Sequence, residues 1–458
     1  MIPESMIAAI QAAGGRCYAV GGCVRDQLLE LPCKDLDVEV FGLSGSELVS
    51  ILEPFGRVNE VGVSFGVIKL RTADGTEYDF TLPRRDNKTG QGHRGFQVEI
   101  DPTMSLREAA LRRDFTLNAI SRCLDSGQIQ DPLGGRDDLQ QGVLRACSEH
   151  FAEDPLRVLR GMQFAARFDF CMAPETVALS ASLLGECESL AVERVRGEWQ
   201  KWALRGRVPS RGLQVLRDTG WLSRYPELQA LIDVPQDPEW HPEGDVWVHT
   251  LHVCDAAAAI ADRDGVEGEH REVLLFSALC HDLGKATTTE QINGRWRAHG
   301  HCEEGVALSR SLLERLGCPQ GVIEQVEPLV AQHLAYASGD ISPRMVRRLA
   351  RRLQPASVLQ LIRLIEADHN GRPPLPHGLP PKAQRILDLA PAECVLEQGP
   401  QPLVMGRHLI QEGWKPDPQF REILGICFQA QLDGVFTDVA AGVEFLRKLL
   451  RQRRGNPG

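Results

Sequence analysis

No apolar run in the 458-residue chain approaches the roughly 20 residues that a membrane-spanning helix needs. The first stretch, MIPESMIAAIQAAGG, also has no basic region ahead of an apolar core, so it does not read as a secretory leader. Both absences lead to the expectation of a cytoplasmic protein. The thirteen cysteines include no C-x-x-C pair, which speaks against a cysteine zinc site, and their odd number and scatter speak against a disulfide framework. They are expected as buried or free thiols. Positive charge is short as well, with 51 lysines and arginines against 62 aspartates and glutamates and a formal net charge of −11. Phosphate contacts need local positive charge, so a nucleic-acid surface on this chain must be a local patch. Internal repeats and low-complexity segments are lacking too. What remains is the composition of an ordinary globular chain, long enough for several domains.

The chemistry starts in Tyr18 to Gly42, YAVGGCVRDQLLELPCKDLDVEVFG. A strand-like run, Tyr18 to Val20, is broken by Gly21 and Gly22, with Val24, Arg25 and Asp26 on the short helix that follows. A glycine pair lets backbone approach a phosphate closely, and the amides of a helix N-terminus point at it. Next, Asp35 and Asp37 open a second apolar run, Val38 to Phe41. Residues two apart on a strand face one side, so these carboxylates converge on one point and suit Mg²⁺, a hard ion that shares its shell with phosphates. Gly-Gly and Asp-x-Asp are each also the makeup of a plain solvated turn.

Together, GG-x-V-R-D and D-x-D resemble the nucleotidyltransferase fold of bacterial class II tRNA nucleotidyltransferases and poly(A) polymerases. The resemblance implies Asp35 and Asp37 as catalytic metal-binding acids, with Gly22 and Arg25 at the nucleotide. Strands are expected over Val61–Leu70 and Tyr78–Leu82, where Asp79 is either a third carboxylate or a surface acid. The basic loop Pro83–Phe96 is a hairpin tip or, by resemblance, a flexible loop that helps the site change nucleotide. Leu111–Ala119, LRRDFTLNA, matches the family motif R-R-D-F-T-x-N-A, which assigns Arg113 to the triphosphate. A turn at Asp131–Leu139 closes the head.

Helical spacing then takes over. Asp154 and Arg157 lie three apart in E-D-P-L-R-V-L-R and share a helix face. As an isolated pair they would be a surface ion pair. The run resembles the family's base-reading motif, which implies Asp154, Arg157 and Arg160 at the nucleotide, supported by Glu193–Glu198. Further on, His249, His281-Asp282, His301, His333 and Asp368 form an ordered set that resembles the metal-dependent HD phosphohydrolases. The resemblance implies one site at His249, His281, Asp282 and Asp368 and a second at His301 and His333 that shares Asp282, with Asp368 either a ligand or a helix cap. Ni²⁺, Co²⁺, Mn²⁺ or Mg²⁺ is the expected ion, with Lys285 holding phosphate.

A Pro-rich hinge, Pro373–Pro381, leads to a helical tail, of which Leu403–Leu432 resembles the family's C-terminal segment. Arg347, Arg348, Arg351 and Arg352, and then Arg447, Lys448, Arg451, Arg453 and Arg454, are either RNA-backbone clusters or solvated helix faces. The expected fold is multidomain and mostly α, with a mixed-sheet α/β head (1–140), an all-α neck (141–230), an HD domain (231–372) and a tail (373–458). The resemblance implies a CCA-adding enzyme that uses tRNA, CTP and ATP with Mg²⁺ and carries a second, phosphohydrolase activity. Poly(A) synthesis, addition of the terminal adenosine alone, and an inactive RNA-binding module are the alternatives.

Overall fold

The computed structural model describes residues 2–33, 36–59, 66–88, 96–337 and 339–454. The chain forms two compact units, Met1–Arg224 and Tyr225–Gly458. The divisions expected at 140 and 372 thus fall inside a unit.

In the first unit a seven-stranded sheet runs in the order β3-β4-β5-β2-β1-β8-β9, with β1 Arg16–Val20, β2 Asp37–Phe41, β3 Gly56–Asn59, β4 Val67–Thr72, β5 Glu77–Thr81, β8 Ser121–Cys123 and β9 Ile129–Gln130. It is mixed, because β2 pairs antiparallel with β1 and parallel with β5, setting Asp37 opposite Asp79. Alternation along β2 explains its two faces. Val38 and Val40 enter a core with Met6, Ile10, Leu48, Leu52, Ile68, Leu70 and Phe80, beneath the helices Glu4–Ala12 and Gly45–Leu52. The second of these helices starts on a Ser44/Glu47 capping box. The other face carries Asp37, Glu39 and Phe41.

Three details depart from the expected pattern. The strand expected from Val61 begins at Val67, just after Gly66 turns the chain with φ +73°, while 61–65 lie outside the described residues. The basic loop is flanked by paired strands, β6 Arg84–Lys88 and β7 Phe96–Ile100, and its tip lies outside the described residues. At Asp131 the turn leads into a helix, Gly135–Gln141, whose first amides donate to the Asp131 carboxylate.

The rest of this unit is a helical layer of Leu156–Phe168, Val192–Arg205 and Pro209–Asp218 around buried Trp199, Trp202, Leu213 and Leu216. Gly212 permits the close crossing, since a Cβ there would lie 2.6 Å from the Met162 carbonyl.

Among the described residues the second unit is helical apart from one hairpin, Thr289–Ile292 with Arg295–Ala298, which the all-α expectation omits. Asn293 and Gly294 turn it with positive φ values of 49° and 78°. Its helices include Val246–Arg263, Gly268–Cys280, His301–Arg315, Gln320–Gln332, Pro343–Leu353 and Val358–Asn370. Beyond the Pro-rich stretch, Val404, Leu409, Ile423, Cys427, Phe436, Leu446 and Leu450 form a separate small core. Among the described residues no helix is long and apolar enough to cross a membrane.

Candidate functional site

At the end of β1, Gly21 adopts φ 72° and ψ −138°, a conformation L side chains rarely take. A Cβ there would point at Arg113 Nη1, 3.4 Å away, and Asp37 Oδ2, 3.9 Å away. Gly21, Asp37 and Arg113 therefore meet at one point. Arg113 Nη2 also bonds Glu39 Oε2 at 2.9 Å, and Lys69 bonds Asp79 at 3.1 Å. Asp37, Glu39 and Asp79 thus form a carboxylate face with cations beside it. Asp35 lies outside the described residues. A cleft of about 450 Å³ opens here, lined by Gly22, Arg25, Asp26, Asp37, Arg167 and Arg205 among others.

Arg25 is buried beneath this cleft. It donates to Asn118 Oδ1 (2.6 Å) and Asp26 Oδ1 (2.8 Å) and lies over the rings of Phe164 and Phe168. Asn118 in turn donates to Asp114, which also accepts from the Phe115 amide and from Arg160 Nε and Nη2 at 2.8 and 2.6 Å. The guanidiniums of Arg25 and Arg160, expected at the nucleotide, are thus tied into the protein and frame the site from below. Burial would raise the Asp114 carboxyl, but Arg160 and the Asn118 and Phe115 N–H groups outweigh it and hold the acid below its usual range. Asp114→Ala should cost about 1–3 kcal/mol, since it removes a buried acid's charge-assisted hydrogen bonds while the Arg160 guanidinium keeps partial access to water. A depressed carboxyl stabilises only above its unfolded value of about 3.9 and loses that contribution as pH falls through the folded value. The parent-variant gap in urea midpoint should be full at neutral pH and shrink in acid. A constant gap would place the effect in packing.

Asp154 and Arg157 do not form the side-by-side helical pair that their spacing suggests. Pro155 caps the Leu156–Phe168 helix, so Asp154 sits before it in extended backbone and accepts from the Leu156 amide at 3.1 Å. Its carboxylate pairs with Arg194 of the Glu193–Glu198 stretch at 2.7 Å. Arg157 donates to the carbonyls of His150 (2.7 Å) and Arg112 (2.8 Å). Both side chains still stand at the same helix start.

The second unit gathers its donors from helix ends. His249 lies in the first turn of Val246–Arg263, His281 and His333 cap Gly268–Cys280 and Gln320–Gln332, His301 starts its helix, and Asp368 lies in the last turn of Val358–Asn370. In three of the rings Nδ1 meets the carbonyl three residues back, His281 with Ala278 (2.8 Å), His301 with Ala298 (2.6 Å) and His333 with Val330 (2.7 Å). A carbonyl only accepts, so each Nδ1 keeps the proton and each Nε2 is left as a ligand.

Those nitrogens converge. His249 Nε2 is 3.2 Å from Asp368 Oδ1 and 3.3 Å from His281 Nε2, while His301 and His333 Nε2 are 3.4 Å apart. Asp282 lies between the two groups, with Oδ2 3.1 Å from His281 and Oδ1 3.4 Å from His301. Its Oδ1 is buried with no hydrogen-bond partner. An orphaned carboxylate oxygen facing inward-pointing imidazoles fits a divalent cation. Burial leaves His333 neutral over the ordinary range, lowered to about 4. Lys285 Nζ sits 2.7 Å from Asp282 Oδ2, on the wall of a cavity of about 310 Å³ that also exposes Arg297, Arg372, Trp240 and Trp296.

Three residues escape the sequence reading. Glu243, fully buried, bonds Nδ1 of His249 at 2.8 Å and of His241 at 2.9 Å, fixing the one ring that lacks an i−3 carbonyl. Cys302 stands beside His301 and His333. The only advance signals are the run HPEG just before the His249 helix and a cysteine next to a histidine. The basic clusters are largely engaged within their own unit. Arg347 bonds the Leu432 carbonyl and Glu393, Arg348 bonds Asp433, Arg352 bonds Gln332, and Arg447 and Arg453 meet Glu412 and Glu422.

Residues 17–145 match the family model described as Poly A polymerase head domain, and residues 246–390 match the HD domain. The "Multifunctional CCA protein" of Nitrosococcus oceani is 37% identical over 378 residues, 81% of this chain and 88% of that one. Its counterpart in Xanthomonas campestris is 41% identical over 369 residues, 78% and 85% of the two chains. Among solved structures, the Bacillus stearothermophilus CCA-adding enzyme in complex with CTP aligns over all of both chains with a TM-score of 0.63 and 21% identity. The Thermotoga maritima CCA-adding enzyme complexed with tRNA aligns over 98% of this chain and 96% of that one, with a TM-score of 0.60 and 17% identity. The structural likenesses speak to the fold, and the sequence identities decide the rest: the chain belongs to the multifunctional CCA protein family, CCA-adding nucleotidyltransferases that carry an HD domain.

Proposed function

We propose that this chain builds or repairs the 3′-terminal CCA of tRNA from CTP and ATP without a nucleic-acid template, using a head (1–140), a base-reading neck (141–230) and a tRNA-binding tail (373–458). The observation that carries this reading is the meeting of Gly21, Asp37 and Arg113 at one end of the sheet. Asp37, on the face it shares with Glu39, and Asp35 two positions earlier, supply hard oxygen donors of the kind Mg²⁺ takes. Ions held there would ease deprotonation of the tRNA 3′-hydroxyl and neutralise the leaving pyrophosphate. The Gly21–Gly22 backbone lets the triphosphate approach, and Arg113 holds it while the hydroxyl attacks the α-phosphate. The test offers tRNA ending at the discriminator base with each nucleotide singly and in pairs, and sequences the products. A CCA end supports the proposal. Addition of A alone, or of a long A tract, moves the chain to the other activities of its class, and no addition leaves an RNA-binding module.

Base choice falls to Asp154 and Arg157. Cytosine and adenine each set an exocyclic amino donor beside a ring-nitrogen acceptor, and uracil and guanine reverse that order. A carboxylate that accepts from the amino group and a guanidinium that donates to the ring nitrogen, both presented from this helix start, accept the first pattern and oppose the second. Arg194, which holds the Asp154 carboxylate, orients it. Asp154→Ala or Arg157→Ala should relax rejection of UTP and GTP by at least about tenfold in relative kcat/KM. If selectivity is unchanged while rate falls, these residues only shape the helix start.

The same proposal gives the HD domain (231–372) a hydrolytic activity on small phosphate esters or terminal 2′,3′-cyclic phosphates of RNA. His249, His281, Asp282 and Asp368 would hold one divalent ion, and His301 and His333 a second with Asp282 between them. A bound transition metal supplies hydroxide near neutral pH. Lys285 and the cavity arginines face a substrate phosphate.

A further inference from the structure

We propose that Cys302 supplies a thiolate donor to the second HD metal position, which makes that position one for a borderline-soft ion such as zinc or cobalt rather than magnesium. The inference rests on the metal-site reading above and goes beyond it in naming a fourth donor and the class of ion it selects. Cys302 follows His301 in the first turn of its helix. Its Sγ is 3.6 Å from His301 Nε2 and meets His333 on the Nδ1 side, 3.8 Å away, where that Nδ1 is held by the Val330 carbonyl and Nε2 remains the ligand atom. One potential ligand atom from each of these three residues falls within 4.8 Å of the others.

The dimensions can be checked against coordination chemistry. Metal–nitrogen bonds of about 2.0–2.1 Å and metal–sulfur bonds of about 2.3 Å set the edges of a tetrahedron at roughly 3.3–3.6 Å. The His301–His333 edge is 3.4 Å, the Cys302–His301 edge 3.6 Å and the Asp282–His301 edge 3.4 Å. The Asp282–His333 edge is 3.8 Å, slightly long. Asp282 Oδ1, the oxygen at these corners, is the one buried without a hydrogen-bond partner. The edges among the two imidazoles and the orphaned carboxylate oxygen, and the edge from the thiol to His301, are thus close to tetrahedral dimensions. Magnesium requires an octahedron of oxygens, while a thiolate with imidazoles selects zinc or cobalt. Formation of the metal–sulfur bond releases the thiol proton to solvent, so no redox partner is involved.

The test is a Co²⁺ titration of the full-length protein, stripped with chelator, followed by absorbance in the parent, Cys302→Ser and Cys302→Ala. In the parent, visible d–d bands should rise together with a near-ultraviolet thiolate-to-cobalt charge-transfer band. Both variants should keep d–d bands, lose the charge-transfer band and bind cobalt at least about tenfold more weakly. In the parent, bound cobalt should also protect the Cys302 peptide from alkylation by iodoacetamide, read by mass spectrometry. Bound cobalt without a charge-transfer band, or a band unchanged in both variants, overturns the cysteine assignment and leaves the metal site standing. Absence of any cobalt absorption in the parent overturns both.

Discussion

Asp37→Ala should lower tRNA extension by at least about 10³-fold while leaving the protein folded and able to bind tRNA. Removing a single oxyanion-stabilising donor already costs about 10²–10³ in kcat in well-studied enzymes. Asp37 is asked to do more, because on the proposed reading it would hold an ion that offsets charge at both the attacking and the leaving oxygen. The residue is suited to a clean test, since it lies at the start of β2 rather than in the core beneath it. Thermal melting should therefore change little. The loss should appear in kcat with CTP and with ATP alike, because on the proposed reading both would use one triphosphate position. Extension at the parental rate by folded Asp37→Ala would remove the carboxylate face from the chemistry, and loss with one nucleotide alone would make Asp37 a specificity residue.

The second large effect is expected at Asp282. Asp282→Ala should abolish hydrolysis of 2′,3′-cyclic AMP and p-nitrophenyl phosphate with every metal tried, a loss of at least about 10³-fold. CCA addition should stay within about twofold of the parent, since the nucleotide machinery lies on other residues. Among the described residues Asp282 alone faces both histidine groups, so its removal should empty both positions, whereas His301→Ala should weaken only the second. Metal content after dialysis, measured by mass spectrometry of the metal, separates these cases. Activity that survives in Asp282→Ala, or a parent inactive with Ni²⁺, Co²⁺, Mn²⁺ and Mg²⁺, would leave the HD domain as a scaffold.

Much of the fold was legible because its signals are local. GG-x-V-R-D carries its own turn and helix start, and β2 announces itself by alternating Val38 and Val40 against Asp37 and Glu39. The places where sequence reasoning fell short depend on distant partners. Asp154 and Arg157 look like an i,i+3 helical pair until Pro155 excludes Asp154 from the helix and Arg194, forty residues on, takes its carboxylate. The arginines of Pro343–Leu353 look like an RNA-facing cluster, yet Arg347 and Arg348 find their partners at Leu432, Glu393 and Asp433. Such neutralisation is invisible to spacing. The hairpin at Asn293-Gly294 is a different kind of omission. The turn signal was present, but its flanks, TEQI and RWRA, carry too little apolar alternation to look like strands. Glu243 is likewise in plain sight and gains meaning only when the fold carries it to His249.

The network under the cleft bears on how such a protein can be cut or recombined. Asp114 belongs to the segment that the Poly A polymerase head model covers, residues 17–145, yet its guanidinium comes from Arg160. Asp26 takes Arg167, and Arg25 lies against Phe164 and Phe168. A chain severed after residue 145 would keep the GG-x-V-R-D, D-x-D and R-R-D-F-T-x-N-A motifs and lose the two cations and the rings on which three of its charged side chains rest. Sequence modules and folding modules therefore have different edges here. The shortest piece that could be inherited, transplanted or expressed with those charges still matched runs through Phe168.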